Sequence, residues 1–118
     1  MVPAPTTMTR FNSCMQVSMK QFEEAAQAAI DSIPEQFQPY LENTVFILEE
    51  RSRDGLMGLY EGAGALGAGE GLPERITLYK HSHEQASRSY RDLVEEVRRT
   101  ILHEVGHHFG MEEDDLPY

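Results

Sequence analysis

The stretch SYRDLVEEVRRTILHEVGHHFG, residues 89–110, carries the longest helical period in the chain. Placed at about 100° per residue, Val94, Val97, Ile101, Leu102, Val105 and Phe109 fall in one broad arc. His103 and His107 fall on the opposite side, in a stripe with Glu96, Arg99 and Thr100. Gly110 then offers a left-handed stop. The pattern predicts one amphipathic helix from Ala86 or Ser89 to Phe109. Its apolar face packs on a sheet and its histidine face meets water. His108 points into the apolar arc and reads as a packed core histidine.

Strand signals lie upstream. RITLYK (75–80) alternates, with Ile76, Leu78 and Lys80 opposed to Thr77 and Tyr79, as in a half-exposed strand. LMGLY (56–60), introduced by an RDG turn, is a shorter candidate. In NTVFILEE (43–50) four apolar residues, Val45 to Leu48, are contiguous, which predicts a strand buried on both faces. EGAGALGAGEG (61–71) holds five glycines and reads as a flexible connector or a mobile loop bordering a site. It does not have the spacing of a phosphate-binding loop.

VSMKQFEEAAQAAIDSIP (17–34) reads as a further helix. Ser18 and Gln21 stand at capping-box spacing, Val17 and Phe22 at staple spacing, and Pro34 marks the end. Phe22, Ala26, Ala29, Ile30 and Ile33 share its inner face. The expected fold is α+β: an N-terminal helix, a small mixed or antiparallel sheet of three or four strands, and the long C-terminal helix. Residues 1–16 form a flexible lead-in and residues 17–118 a single domain, the size that 118 residues support.

Composition narrows the function. Twenty acidic residues against ten basic ones give a formal charge of −10, which repels phosphate backbones and anionic membranes. No nucleic-acid or membrane partner is expected. The first residues have no charged start followed by an apolar run, and no apolar stretch is long enough to span a bilayer. Cys14 is the only cysteine, so the fold does not rest on an internal disulfide, and a cytoplasmic location is expected.

The histidine stripe carries chemistry. A zinc ion takes neutral imidazoles at about 2 Å, and residues i and i+4 of a helix converge without help from a loop. Glu104, turned about 100° from His103, is poorly placed as a ligand but well placed beside a coordinated water. The ion lowers the pKa of that water from near 15.7 to about 7. The carboxylate then takes its proton and delivers it to a leaving amine. One zinc ion per chain is expected, although other first-row divalent ions suit such donors. Glu96 is a candidate to orient a ligating imidazole. His81 and His83, in KHSHEQ, suggest a loop or helix-entry role. Arg98 to Thr100 read as a solvated flank, with Arg99 able to reach a substrate carboxylate.

HEVGHHFGMEE resembles the zincin metallopeptidases, and within them the H-E-x-x-H-x-x-G-x-x-H/D pattern of the metzincin-like branch. That pattern puts the third ligand at Glu113, where family members carry histidine or aspartate, with Asp114 the alternative. The second half of the chain, GLYEG, LPERITLYK and VRRTILHEVGHHFGMEEDDL in turn, looks like small bacterial proteins described as minimal zincin-like metallopeptidases. The resemblance implies a zincin-like minimal fold and a zinc metallopeptidase. His103, His107 and Glu113 would bind the metal, and Glu104 would act as general base. It also implies a peptide or protein substrate added as a strand to a sheet edge, for which LMGLY is the expected edge. With eight residues after Gly110, neither the methionine turn nor the lower subdomain of larger zincins is expected. An open, shallow site follows. The alternative is a metal-binding interaction module with little or no peptidase activity.

Overall fold

A computed structural model describes residues 15–62, 73–111 and 116 of the chain. Helix α1 (Met19–Asp31) begins at the expected capping box. The Gln21 N–H donates to Ser18 Oγ, and the Ser18 N–H donates to Gln21 Oε1, so two amides of the first turn are satisfied reciprocally. Phe22, Ala25, Ala26 and Ala29 form its buried face, and the small alanines let α1 pack against the C-terminal helix. A 3₁₀ helix, Glu35–Tyr40, follows Pro34 and adds Phe37 to the core.

Three strands follow, β1 (Thr44–Glu49), β2 (Gly58–Glu61) and β3 (Glu74–Tyr79), in the spatial order β1-β3-β2. β1 runs parallel to β3 and β2 antiparallel to it, giving a mixed sheet. This order exchanges the expected burial of two strands. β3 is central, and Ile76, Thr77 and Leu78 are all buried, so RITLYK is not half-exposed. β1 is an edge and is not buried on both faces: Phe46 and Leu48 pack on the core while Val45 is 44% exposed. The core forms on the Phe46, Ile76 and Leu78 face, so an unbroken apolar run still has an outer side. β2, from LMGLY, is the other edge, as expected.

The segment after β3 also differs. Lys80 is not the last strand residue but the first of a short helix, α2 (Lys80–Gln85). The long helix α3 (Tyr90–His108) starts separately, after Ser89 accepts the Asp92 N–H. Buried Lys80 donates to the Val17 carbonyl at 2.8 Å and pairs with Glu84 at 2.9 Å and Glu50 at 3.0 Å. Glu84 in turn accepts the Val17 N–H at 2.8 Å. Burial works against the Lys80 charge, but the bonds to Glu84 and Glu50 outweigh it and raise its pKa. Burial likewise pushes Glu84 up, and Lys80 with the Val17 amide brings it below the usual carboxylate value. The chain entering α1 is thereby held on α2 by both of its Val17 backbone groups. The Met15 N–H adds a bond to the Ser87 carbonyl, and residues 1–14 of the expected lead-in lie outside the described residues.

Leu93, Val97, Ile101, Leu102 and Val105 of α3 are at most 1% exposed. Thr100 and Phe109 depart from the expected wheel, as does His108. Thr100, assigned to the histidine stripe, is buried because β2 lies over it, and Phe109 ends the helix 44% exposed. Gly110, at φ 69°, stops α3 as expected. Its N–H bonds to the His107 carbonyl and the Met111 N–H to the Gly106 carbonyl, the pair of bonds of a Schellman motif. No helix of the described residues is long and apolar enough to cross a membrane.

Candidate metal centre

The site is built where α3 runs beneath β2, an outer strand of the sheet among the described residues. The Tyr79 N–H donates to the Met57 carbonyl at 3.0 Å, and Leu59 and Glu61 face Thr77 and Arg75 in the same register. Antiparallel ladders alternate, so Met57, Leu59 and Glu61 bond to β3 while Gly58 and Tyr60 turn their N–H and C=O groups outward. Two strand residues advance about 6.6 Å and four helical residues about 6 Å. The two elements therefore repeat contacts at nearly equal pitch.

Three such contacts occur. A Cβ built on Gly58 would lie 2.7 Å from Thr100 Cγ2, so glycine lets β2 sit on α3. One helical turn on, the Tyr60 N–H donates to Glu104 Oε1 at 3.2 Å. A further turn on, His108 stacks on the Tyr60 ring, centroids 4.1 Å apart and planes 22° from parallel, and also packs against Gly62. His108 is thus an exposed bracket between α3 and β2 and not a core histidine. Phe109 extends the bracket by packing on Tyr40 at 4.8 Å.

His103 and His107 occupy the neighbouring row of α3. Their ring centroids are 4.2 Å apart and their planes are tilted by 54°, with His103 half-buried and His107 exposed. A cavity of about 450 Å³ ends at His103 and Glu104. Leu56, Met57 and Gly58 form its strand side, and Glu96, Arg99 and Thr100 its helix side. Glu96, the candidate orienting group, contributes here through its carbonyl, which accepts from Thr100 at 2.9 Å.

The two imidazoles are adjacent nitrogen donors one helical turn apart, a donor type that suits a borderline-soft divalent ion such as zinc. Among the described residues no group of three or more His, Cys, Asp or Glu side chains is assembled around a common point. The expected third ligand, Glu113, and its alternative, Asp114, lie outside the described residues. Their flanks return to α3: Met111 bonds to the Gly106 carbonyl, and the Leu116 side chain lies about 3.1 Å from where a Cβ on Gly106 would stand.

A buried imidazole supports the floor of the cavity. His83, 0% exposed, places Nδ1 at 2.8 Å from the Tyr79 carbonyl and Nε2 at 2.9 Å from Thr100 Oγ1. Burial lowers its pKa, with the bond to Tyr79 opposing, so the neutral ring is favoured. A carbonyl can only accept, which assigns the proton to Nδ1. The single proton of the Thr100 hydroxyl then lies between two acceptors, His83 Nε2 and the Glu96 carbonyl, both at 2.9 Å. His83 therefore joins α2 to α3, a tertiary role that KHSHEQ does not announce. The glycine inside LMGLY was the one available sign of a close backbone approach.

The chain belongs to the zincin-like metallopeptidase family, whose profile matches residues 33–118. Among solved structures it is similar to a conserved hypothetical protein from Thermo thermophilus. The two share 29% identity over 79% of this chain and 94% of that one, with a TM-score of 0.57. No curated protein matches the chain.

Proposed function

We propose that this protein is a zinc-dependent hydrolase of peptide bonds, with His103, His107 and Glu113 holding the ion and Glu104 as general base. The observation that carries the reading is the Glu104 carboxylate, tied by the Tyr60 N–H at the end of a cavity that His103 also lines. Family membership and the adjacent imidazoles support it.

A zinc ion in such a site polarises a carbonyl and acidifies water. The rest falls to the chain. Oε1 of Glu104 is engaged by Tyr60, which leaves Oε2 to take a proton from the attacking water and pass it to the departing amine nitrogen. The cavity along Leu56 to Gly58 receives a side chain of the substrate, and the outward backbone of β2 aligns the extended chain. The flanks of residues 112–115 return to α3, which supports a ligand from that segment.

Elemental analysis and cleavage assays test the reading together. Zinc at one per chain, casein or peptide cleavage that chelators abolish, and loss of cleavage with retained zinc in Glu104→Gln are expected. Protein that takes up no zinc even when it is supplied ends the proposal. Full zinc occupancy with no cleavage of any peptide leaves a metal-binding interaction module instead.

A further inference from the structure

The histidine row of α3 has two flanks. On one, Glu104 accepts the Tyr60 N–H of β2. On the other stands Gly106, about 60° from His103 on the helical wheel and turned away from Glu104. Only proline forms helix less readily than glycine, yet Gly106 lies buried two residues before the end of α3. A leucine explains it. A Cβ on Gly106 would stand 3.1 Å from Leu116 Cδ1, 3.2 Å from Cδ2 and 3.6 Å from Cγ. The Gly106 carbonyl also accepts the Met111 N–H at 2.7 Å. Residues 112–115 therefore join two points that meet α3 at a single residue, one step before His107.

We propose that Leu116 is a positioning residue of the metal centre. Seated on Gly106, it pins the far end of residues 112–115 to α3, so that Glu113 or Asp114 reaches the ion that His103 and His107 hold. This inference rests on the zinc reading above and deepens it.

Electrostatics gives the leucine its part. Glu112, Glu113, Asp114 and Asp115 follow one another, and adjacent carboxylates repel. They also come just after the C-terminal end of α3, where the helix dipole favours cations over anions. Until a cation is bound, charge opposes their return to the helix. Leu116 is the one apolar side chain in residues 112–116, and its attraction to α3 does not depend on the ion. It also lowers what metal binding must supply. A stretch tied at Met111 alone would be ordered by the ion residue by residue, at a cost in conformational entropy. Tied at both ends, a short stretch has less freedom to lose. Glycine at position 106 is the condition for this, because a larger side chain would occupy the place of Leu116.

The test measures zinc affinity of the full-length protein by competition with a chromophoric chelator, and zinc-free stability by urea unfolding. Leu116→Ala should weaken zinc about 10–100-fold, the usual effect of losing a group that orients a ligand. The urea midpoint of the zinc-free protein should stay nearly unchanged. Leu116→Met keeps an apolar side chain of similar volume and should restore most of the affinity. Gly106→Leu fills the place of Leu116 with a good helix former, so zinc should weaken while the zinc-free protein is at least as stable. In the zinc-free wild type, the Leu116 methyl protons should show nuclear Overhauser contacts to the Gly106 α protons. Wild-type zinc affinity in Leu116→Ala or Gly106→Leu, or absence of those contacts, overturns the positioning role and leaves the hydrolytic reading intact. Affinity and zinc-free stability that fall together in Leu116→Ala, or no recovery in Leu116→Met, overturn it as well. Wild-type protein that takes up no zinc removes both.

Discussion

The amide nitrogen of Tyr60 stands 3.2 Å from Oε1 of Glu104, joining an edge strand to the helix that carries the paired imidazoles. A carboxylate one residue beyond the first of those imidazoles would otherwise sample several rotamers. The bond to a strand amide ties it to β2.

Anchoring and basicity can be separated at Glu104. Glu104→Gln keeps an oxygen for the Tyr60 N–H and should preserve slow exchange of that amide while lowering cleavage by about 10²–10⁴. Glu104→Ala should lower cleavage similarly and also speed Tyr60 exchange. Equal exchange in the two variants would show that the side chain does not hold the strand.

Metal binding should depend on both histidines and stabilise the fold. His103→Ala and His107→Ala should each abolish stoichiometric zinc, and zinc at one hundred times its Kd should add about 2.7 kcal/mol to wild-type stability. Glu113→Ala and Asp114→Ala, compared by zinc content, identify the third ligand as whichever loses the ion. Unchanged zinc in both variants would leave that ligand unassigned to either carboxylate.

Gly58 carries no side chain because Thr100 stands where a Cβ would go, with the Thr77 carbonyl 3.1 Å away on another side. Gly58→Ala should destabilise by about 1–3 kcal/mol through overpacking. Adding Thr100→Ser removes the methyl and keeps the hydroxyl, so denaturant midpoints should recover much of the loss. No recovery would place the strain at the Thr77 carbonyl.

His83 makes the fold sensitive to acid. Its folded pKa lies below the usual histidine value, first through burial, so below about pH 6.5 the unfolded chain binds a proton that the folded chain resists. The stability this neutral ring contributes is fully present above that pH. It falls with acidification by up to about 1.4 kcal/mol per pH unit until the folded pKa is reached. His83→Leu should flatten the pH dependence of the unfolding free energy across this window. An unchanged slope would assign it to another group.

Lys80 and Glu84 form an ion pair whose side chains are 8% and 6% exposed. Lys80→Met leaves Glu84 buried beside the Val17 amide without its main cation and should cost about 3–5 kcal/mol. Urea unfolding measures it. A loss under about 1 kcal/mol would mean that solvent or Val17 alone satisfies the carboxylate.

What could be read from residues alone was whatever depends on neighbours in the chain. The Ser18–Gln21 box, the stop at Gly110 and the i, i+4 pairing of His103 with His107 are local, because helix geometry converts sequence spacing directly into distance. The HExxH pattern and the family followed from the same locality.

Strand order was not local. β3 became central and β1 an edge because β2 came back antiparallel on the far side of β3, and no residue of NTVFILEE or RITLYK encodes which strand lies beside it. Long-range contact likewise decided that Thr100 is buried, that His83 supports it from α2, and that His108 stacks outside the core. The Tyr60–Glu104 bond has the same origin: residues 44 apart in sequence meet because two strand steps and one helical turn are nearly the same length. The sequence determined the one-turn spacing of His103 and His107 and the place of Glu104 beside them. The packing of an edge strand on a helix decided which of them is held in place.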